Sequence, residues 1–278
     1  MKTESSKNNL LYHYTSMSTL LKILDVNESG KLCVWATHAK YFNDPYEYNL
    51  AISLMKRSMY RYETENLIQE RKSKNFNMKT ISSFGYIAGY PFILSLSENA
   101  DDLAMWRTYG ADGRGVAIGF DKKMLEDYSD SKEVENTRLI RCEYRENDVL
   151  KGLIKYWSVV YDSINFNEGR TTLSSFRLLF DISNFGFSFK KSDYKNEKEW
   201  RLCKNEINSD KIYFIERGGV IIPYIRHQFP RELVKKIIVG PCVNKEMTKE
   251  SIENFLKIRK YVAEKNFVHL SRVPYRQI

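Results

Sequence analysis

Three short stretches place polar side chains two residues apart in sequence that otherwise reads as β-strand. His13 and Thr15 lie in LLYHYT with Tyr14 between them. Ser95 and Ser97 lie in FILSLS, and Glu197 and Glu199 lie in NEKEWR with Arg201 next in step. Side chains alternate along a strand, so each pair shares a face. These residue types supply an imidazole, hydroxyls and a carboxylate pair, equipment for orienting a polar ligand, moving a proton or stabilising positive charge. Burying such groups costs free energy unless they are satisfied, so three pairs on different strands point to one polar cleft if the strands meet. Blander readings stand beside this one. His13 can be a hydrogen-bonded histidine at a strand end, the serines can cap the next helix or bond to backbone, and the glutamates can sit on a solvated, lysine-rich edge strand.

A fourth stretch, DDLAMWRTYG at 101–110, puts Trp106 and Tyr109 three residues apart on one helical face, which reads as core packing. Arg107, on the neighbouring face, suits a phosphate.

Several chemistries are absent from the sequence. It has no phosphate loop and no G-x-G-x-x-G opening a helix; GADGRG (110–115) follows a helix instead. His13, His38, His227 and His269 are dispersed, and no Cys/His cluster occurs, so no metal is expected. There is no G-x-S-x-G elbow and no recognisable RNA-stacking motif.

The elements that must position these residues follow from pattern. LLYHYT (10–15) reads as a strand. A helix follows, capped by Thr15 or Ser16, burying Leu20, Leu21, Ile23 and Leu24 and stopping at Gly30. Residues 31–37 read as a strand. Asp44, Pro45 and Glu47 have the spacing of a capping box for a long helix from about 45 to about 74, interrupted near 62–64. Strands are expected at 91–99, 115–121, 138–145, 199–204, 211–216, 220–226, 233–240 and 267–273. Helices are expected at 101–110, 148–163, 172–187 and 245–260. This order lacks a βαβ rhythm and predicts an α+β fold with a central, mainly antiparallel sheet and flanking helices.

With 278 residues, 42% hydrophobic and 14% aromatic, the chain can bury a sizeable core. Residues 1–9 read as a flexible tail and 10–278 as one domain. The formal charge is +9, from 44 Lys and Arg against 35 Asp and Glu. The basic residues are scattered, with the densest stretches at 190–204 and 231–260. They read mainly as solvated faces, while the balance favours acidic partners such as nucleic acid or nucleotides. The four cysteines are far apart and read as reduced thiols. No signal peptide or membrane-spanning stretch is visible, so a cytoplasmic protein with no membrane partner is expected.

LYHYTS with LLKIL, WATHAKYFNDPYE, FILSLSENADDLAMWRTYGADGRGVAIGFD and NEKEWRL together resemble the bacterial family catalogued as domain of unknown function 2971, from about residue 10 to about 240. More loosely, His-x-Thr, Ser-x-Ser and Glu-x-Glu in that order are similar to the marks of ADP-ribosyltransferases. That resemblance implies an ADP-ribosyltransferase-like fold with NAD as substrate. It implies that His13, with Tyr14 and Thr15 beside it, grips the NAD ribose. Ser95 or Ser97 supports the site, Glu199 is the catalytic carboxylate, and Glu197 helps the acceptor. A His-type first motif with a Glu-x-Glu third motif joins features of different branches and leaves the acceptor open, nucleic acid or protein. The expected function is an ADP-ribosyltransferase or NAD hydrolase, as a toxin or antiphage effector. The alternatives are a nucleic-acid-binding or nucleic-acid-cleaving defence protein and a non-catalytic nucleotide-sensing module.

Overall fold

The computed structural model describes residues 9–25, 30–42, 45–66, 91–131, 134–163, 173–242, 244–261 and 266–275. The expected tail, apart from Asn9, and the expected helix beyond residue 66 lie outside them, as does Asp44 of the capping box.

The chain opens with β1 (Leu10–Thr15), α1 (Met17–Leu24), β2 (Leu32–His38) and α2 (Pro45–Glu65). Ser16 caps α1, its Oγ accepting from Thr19 N at 3.3 Å. The helix ends at Leu24 with Asp25 as its cap, short of Gly30, and Leu21 faces outward at 44% exposure. Then come β3 (Phe92–Ser97), α3 (Leu103–Thr108), β4 (Val116–Asp121) and α4 (Lys122–Asp130), followed by β5 (Thr137–Arg141), α5 (Glu146–Ser163) and α6 (Leu173–Gly186). The pattern reading missed α4. Asp121, read as the end of a strand, caps it by accepting from Met124 N at 3.1 Å. A 3-10 turn (Ser192–Glu197) leads into β6 (Glu199–Lys204). The chain closes with β7 (Tyr213–Arg217), β8 (Val220–Phe229), β9 (Val234–Val239), α7 (Lys245–Ile258) and β10 (Val268–Leu270). β7 and β8 form a hairpin whose turn, Gly218–Gly219, takes positive φ at both residues, +58° and +80°, a conformation open to glycine and costly for others.

The ten strands form one sheet in the order β10-β9-β4-β1-β3-β2-β8-β7, with β6 on β3 and β5 on β6. Every pairing is antiparallel except β9 with β10. The fold is therefore α+β with a mostly antiparallel sheet flanked by helices. Odd and even positions send two cores to opposite faces. Leu11, Val34, Leu94, Leu96 and Ile118 pack with Leu20 and Leu24 of α1, Leu125 of α4 and Ile252 of α7. Ile93 and Cys203 belong to a second core with Leu54 of α2 and Leu153 and Trp157 of α5. Among the described residues no helix is long and apolar enough to cross a membrane.

β3 positions the site. Along one edge it pairs with β6 over its whole length, Phe92↔Lys204 to Ser97↔Glu199. The other edge is shared: β2 holds it at Ile93 and Phe92, β1 at Ser97 alone. Between those contacts, Leu94–Leu96 have no strand partner on this second edge among the described residues, and β1 and β2 splay apart.

Candidate functional site

The gap between β1 and β2 opens into a cleft of about 750 Å³, within the range of ligand pockets. Its walls include His13 and Thr15 of β1, Trp35 of β2, Ser95 of β3, and Glu197 and Glu199. The three polar motifs therefore meet, but not on one face of the sheet. Tyr12 stands opposite Ser97, and directly opposed residues share a face. Tyr12 and Tyr14 thus lie on the side of Ser95, Ser97 and Glu199, while His13 and Thr15 lie on the other. The splay lets both sides reach one cavity. His13 bridges them, with Nδ1 3.0 Å from Ser95 O on the unpaired edge of β3.

At the base of the cleft lies a cluster of five charged side chains. Arg201 donates from Nε to Glu199 Oε1 at 2.9 Å and from Nη2 to Glu199 Oε2 at 3.0 Å. It also donates to Glu47 Oε2 at 2.7 Å and to Phe187 O at 2.6 Å. Lys190 Nζ donates to Glu199 Oε2 at 2.9 Å and to Glu197 Oε2 at 2.5 Å, and lies 3.6 Å from Glu47 Oε1. Three carboxylates against two cations leave one net negative formal charge. Such a site favours positive charge developing on a ligand.

Glu199 and Glu197 occupy different structures, against the expectation that they share a strand face. β6 begins at Glu199; Glu197 ends the 3-10 turn, and Lys198 between them is left-handed, at φ +45°. Ser97 fixes that turn, its buried Oγ donating to Glu197 O at 2.6 Å and accepting from Asn99 N at 3.0 Å. Asn99 Nδ2 donates to Asn196 O at 2.6 Å. Glu197 Oε1 also accepts from Tyr109 Oη at 3.1 Å. The Glu197 side chain is 16% exposed, against 6% for Glu199, both of whose oxygens are taken by cations. Glu197 is the more exposed of the two carboxylates, with its own oxygens bonded to Tyr109 and Lys190.

Burial alone would raise the pKa of Glu199, but Arg201 and Lys190 outweigh it and hold the carboxyl at about 2. Burial likewise works against the charge on Lys190, yet Glu199 and Glu47 keep its pKa above the ordinary lysine value. Burial pushes the Tyr109 hydroxyl up, so it stays protonated and donates to Glu197. The protein packed around His13 lowers its pKa, partly offset by the bond to Ser95 O, although part of its ring is open to the cleft. A neutral imidazole at pH 7 follows.

The remaining expected site residues serve elsewhere. Ser97 does not line the cleft and acts on the turn beneath Glu197. Tyr14 borders the cleft, but its hydroxyl donates to Asn99 O at 2.9 Å and accepts from Asp102 N at 3.3 Å. Arg107 is exposed on α3 and is not part of the cleft wall. Trp106 is fully buried, as expected of a core residue, whereas Tyr109 turns into the site. Glu47, read as a capping residue, is buried in the cluster. Its position was visible in pattern: Glu47, Ala51, Leu54 and Met55 fall at helical spacing on the buried stripe of α2, and an acid in such a stripe needs a buried partner. Lys190, in the connection after α6, carried no comparable signal. Among the described residues no His, Cys, Asp or Glu group is arranged to hold a metal.

Lys190, Glu197, Glu199 and Arg201 fall late in the chain, close together in sequence as well as in space. Residues 105–202 match the family model described as Protein of unknown function (DUF2971). The match spans about a third of the chain, supports the DUF2971 resemblance over those residues, and takes in every member of the charged cluster except Glu47. The earlier motifs, around His13 and Ser95, lie outside the matched stretch. No curated protein and no solved structure matches the chain.

Proposed function

We propose that the cleft binds NAD and promotes cleavage of its nicotinamide–ribose bond, passing ADP-ribose to an acceptor or to water. The observation that carries this reading is the meeting of His13, Ser95 and the Glu197–Glu199 pair at the splay of the sheet, above a cluster with net negative charge. The bond from ribose C1′ to the nicotinamide nitrogen breaks with both electrons leaving on nicotinamide, and positive charge builds on the sugar. Glu197 faces that charge and then takes the proton of the nucleophile that adds to C1′. Glu199 keeps Lys190 and Arg201 in place behind it. The neutral His13 ring orients ribose hydroxyls. On this reading the fold is ADP-ribosyltransferase-like, with the splayed sheet as its substrate cleft, and NAD consumption suits a toxin or antiphage effector.

A second reading, a sensor that holds a nucleotide without turning it over, draws on the saturation of both Glu199 oxygens. Incubation of the protein with labelled NAD, with and without RNA, DNA and bacterial lysate, decides between them. Free nicotinamide with label on an acceptor, or with free ADP-ribose, supports turnover. Tight NAD binding with the dinucleotide recovered intact supports the sensor.

A further inference from the structure

Beyond the cleft, β2, β8 and β7 turn towards solvent the same side of the sheet that carries Ser95 and Glu199. Trp35 pairs in register with Arg226, and Tyr213 with Tyr224. The Trp35 and Tyr224 rings stack at 4.3 Å and 27°, and Tyr213 lies 5.6 Å from Tyr224, tilted by 32°, so three rings form a row across three strands. Cations interleave with them. The Arg226 guanidinium lies 4.0 Å over Tyr213, and Lys22 Nζ lies 5.3 Å from the Trp35 ring. Arg217 stands exposed at the hairpin turn. Among the described residues none of Lys22, Arg217 and Arg226 pairs with a carboxylate. Trp35 is half-buried, Tyr213 is 37% exposed and Arg226 is exposed, so the row has an open surface at its two ends.

We propose that this face binds single-stranded nucleic acid. Unpaired cations among aromatic rings suit a ligand with regularly spaced anionic charge and flat rings: phosphates lie against Lys22, Arg217 and Arg226 while unstacked bases pack on Trp35, Tyr213 and the guanidinium plane. An acidic peptide would satisfy the cations and leave the rings idle. A duplex buries its base faces and offers only phosphates. Trp35 and Arg217 also line the cleft, so a bound strand runs into it. Its service as acceptor of ADP-ribose rests on the proposed NAD chemistry; its binding does not.

Fluorescence anisotropy with a short labelled single-stranded oligonucleotide tests this. Wild-type protein should bind, with affinity falling steadily as salt rises, and should bind the single strand more tightly than the duplex of the same sequence. Trp35→Leu should weaken binding about tenfold or more, as should Arg226→Glu. Arg217→Glu, at an exposed turn where folding is not at risk, should weaken it and flatten the salt dependence. No binding at low salt, equal or tighter binding of duplex, or binding indifferent to Arg217→Glu and Trp35→Leu would overturn the inference. Strand binding by a protein that leaves NAD intact keeps this inference and removes the transferase reading.

Discussion

Glu197 and Glu199 are two residues apart and perform different tasks. Glu199 is an internal ion whose oxygens are committed to Arg201 and Lys190, while Glu197 shares Lys190 and Tyr109 and keeps a surface towards the cleft. Removing one partner from a buried ion cluster leaves the rest uncompensated, which typically costs about 3–5 kcal/mol. Lys190→Met should therefore lower stability by roughly that amount in urea unfolding, because buried carboxylates lose a compensating cation and not because volume is lost. Acid should act on the same group. The folded Glu199 carboxyl titrates at about 2, against an ordinary value of 4.5. Its contribution to stability is thus complete above about 4.5 and is lost as pH falls through 2. Unfolding measured from pH 6 to pH 2 should show wild-type stability falling through that window, and a Glu199→Gln protein, already weaker at pH 6, should fall less steeply.

At the scale of elements, the pairing of Gly115 with its surroundings sets how closely β1 and β4 approach. A Cβ on Gly115 would lie 2.1 Å from Thr15 O and 2.8 Å from Gly110 O, both backbone atoms that cannot swing aside. Gly115→Ala should destabilise by about 1–3 kcal/mol or more, seen as a lower thermal midpoint. Since His13 and Thr15 ride on β1, it should weaken ligand binding as well. Most strands and helices were legible because their periodicity is strong. β1 keeps its predicted bounds, and the helix after Asn244 closely follows its apolar stripe. What was not legible is local backbone geometry. The i, i+2 spacing in NEKEWR reads as a strand, yet the turn held by Ser97 and Asn99 and the left-handed Lys198 takes Glu197 off it. α4 was hidden because Asp121 closes a strand and caps a helix at once.

At the scale of the whole molecule, the three motifs meet because β3 has three neighbours. No pattern within a segment encodes that one edge of a strand will be divided between β1 and β2, and the face assignment of His13 followed from it. His13, Ser95 and Glu199, singled out by their spacing, line the cleft, while the two cations that make the glutamates chemically distinct came from a connection and from the strand itself. Three cations, Lys22, Arg217 and Arg226, lie beside the cleft, and carboxylates gather at its base. A ligand with an anionic bridge and a carbon that becomes positive fits that polarity. The most direct test is the rate of nicotinamide release from NAD by wild-type and Glu197→Gln proteins of matched thermal midpoint. The account predicts release by the wild type and a rate about a hundredfold to a thousandfold lower in the variant, the usual loss for one electrostatic partner. No release by the wild type, or equal rates from the two proteins, would contradict it.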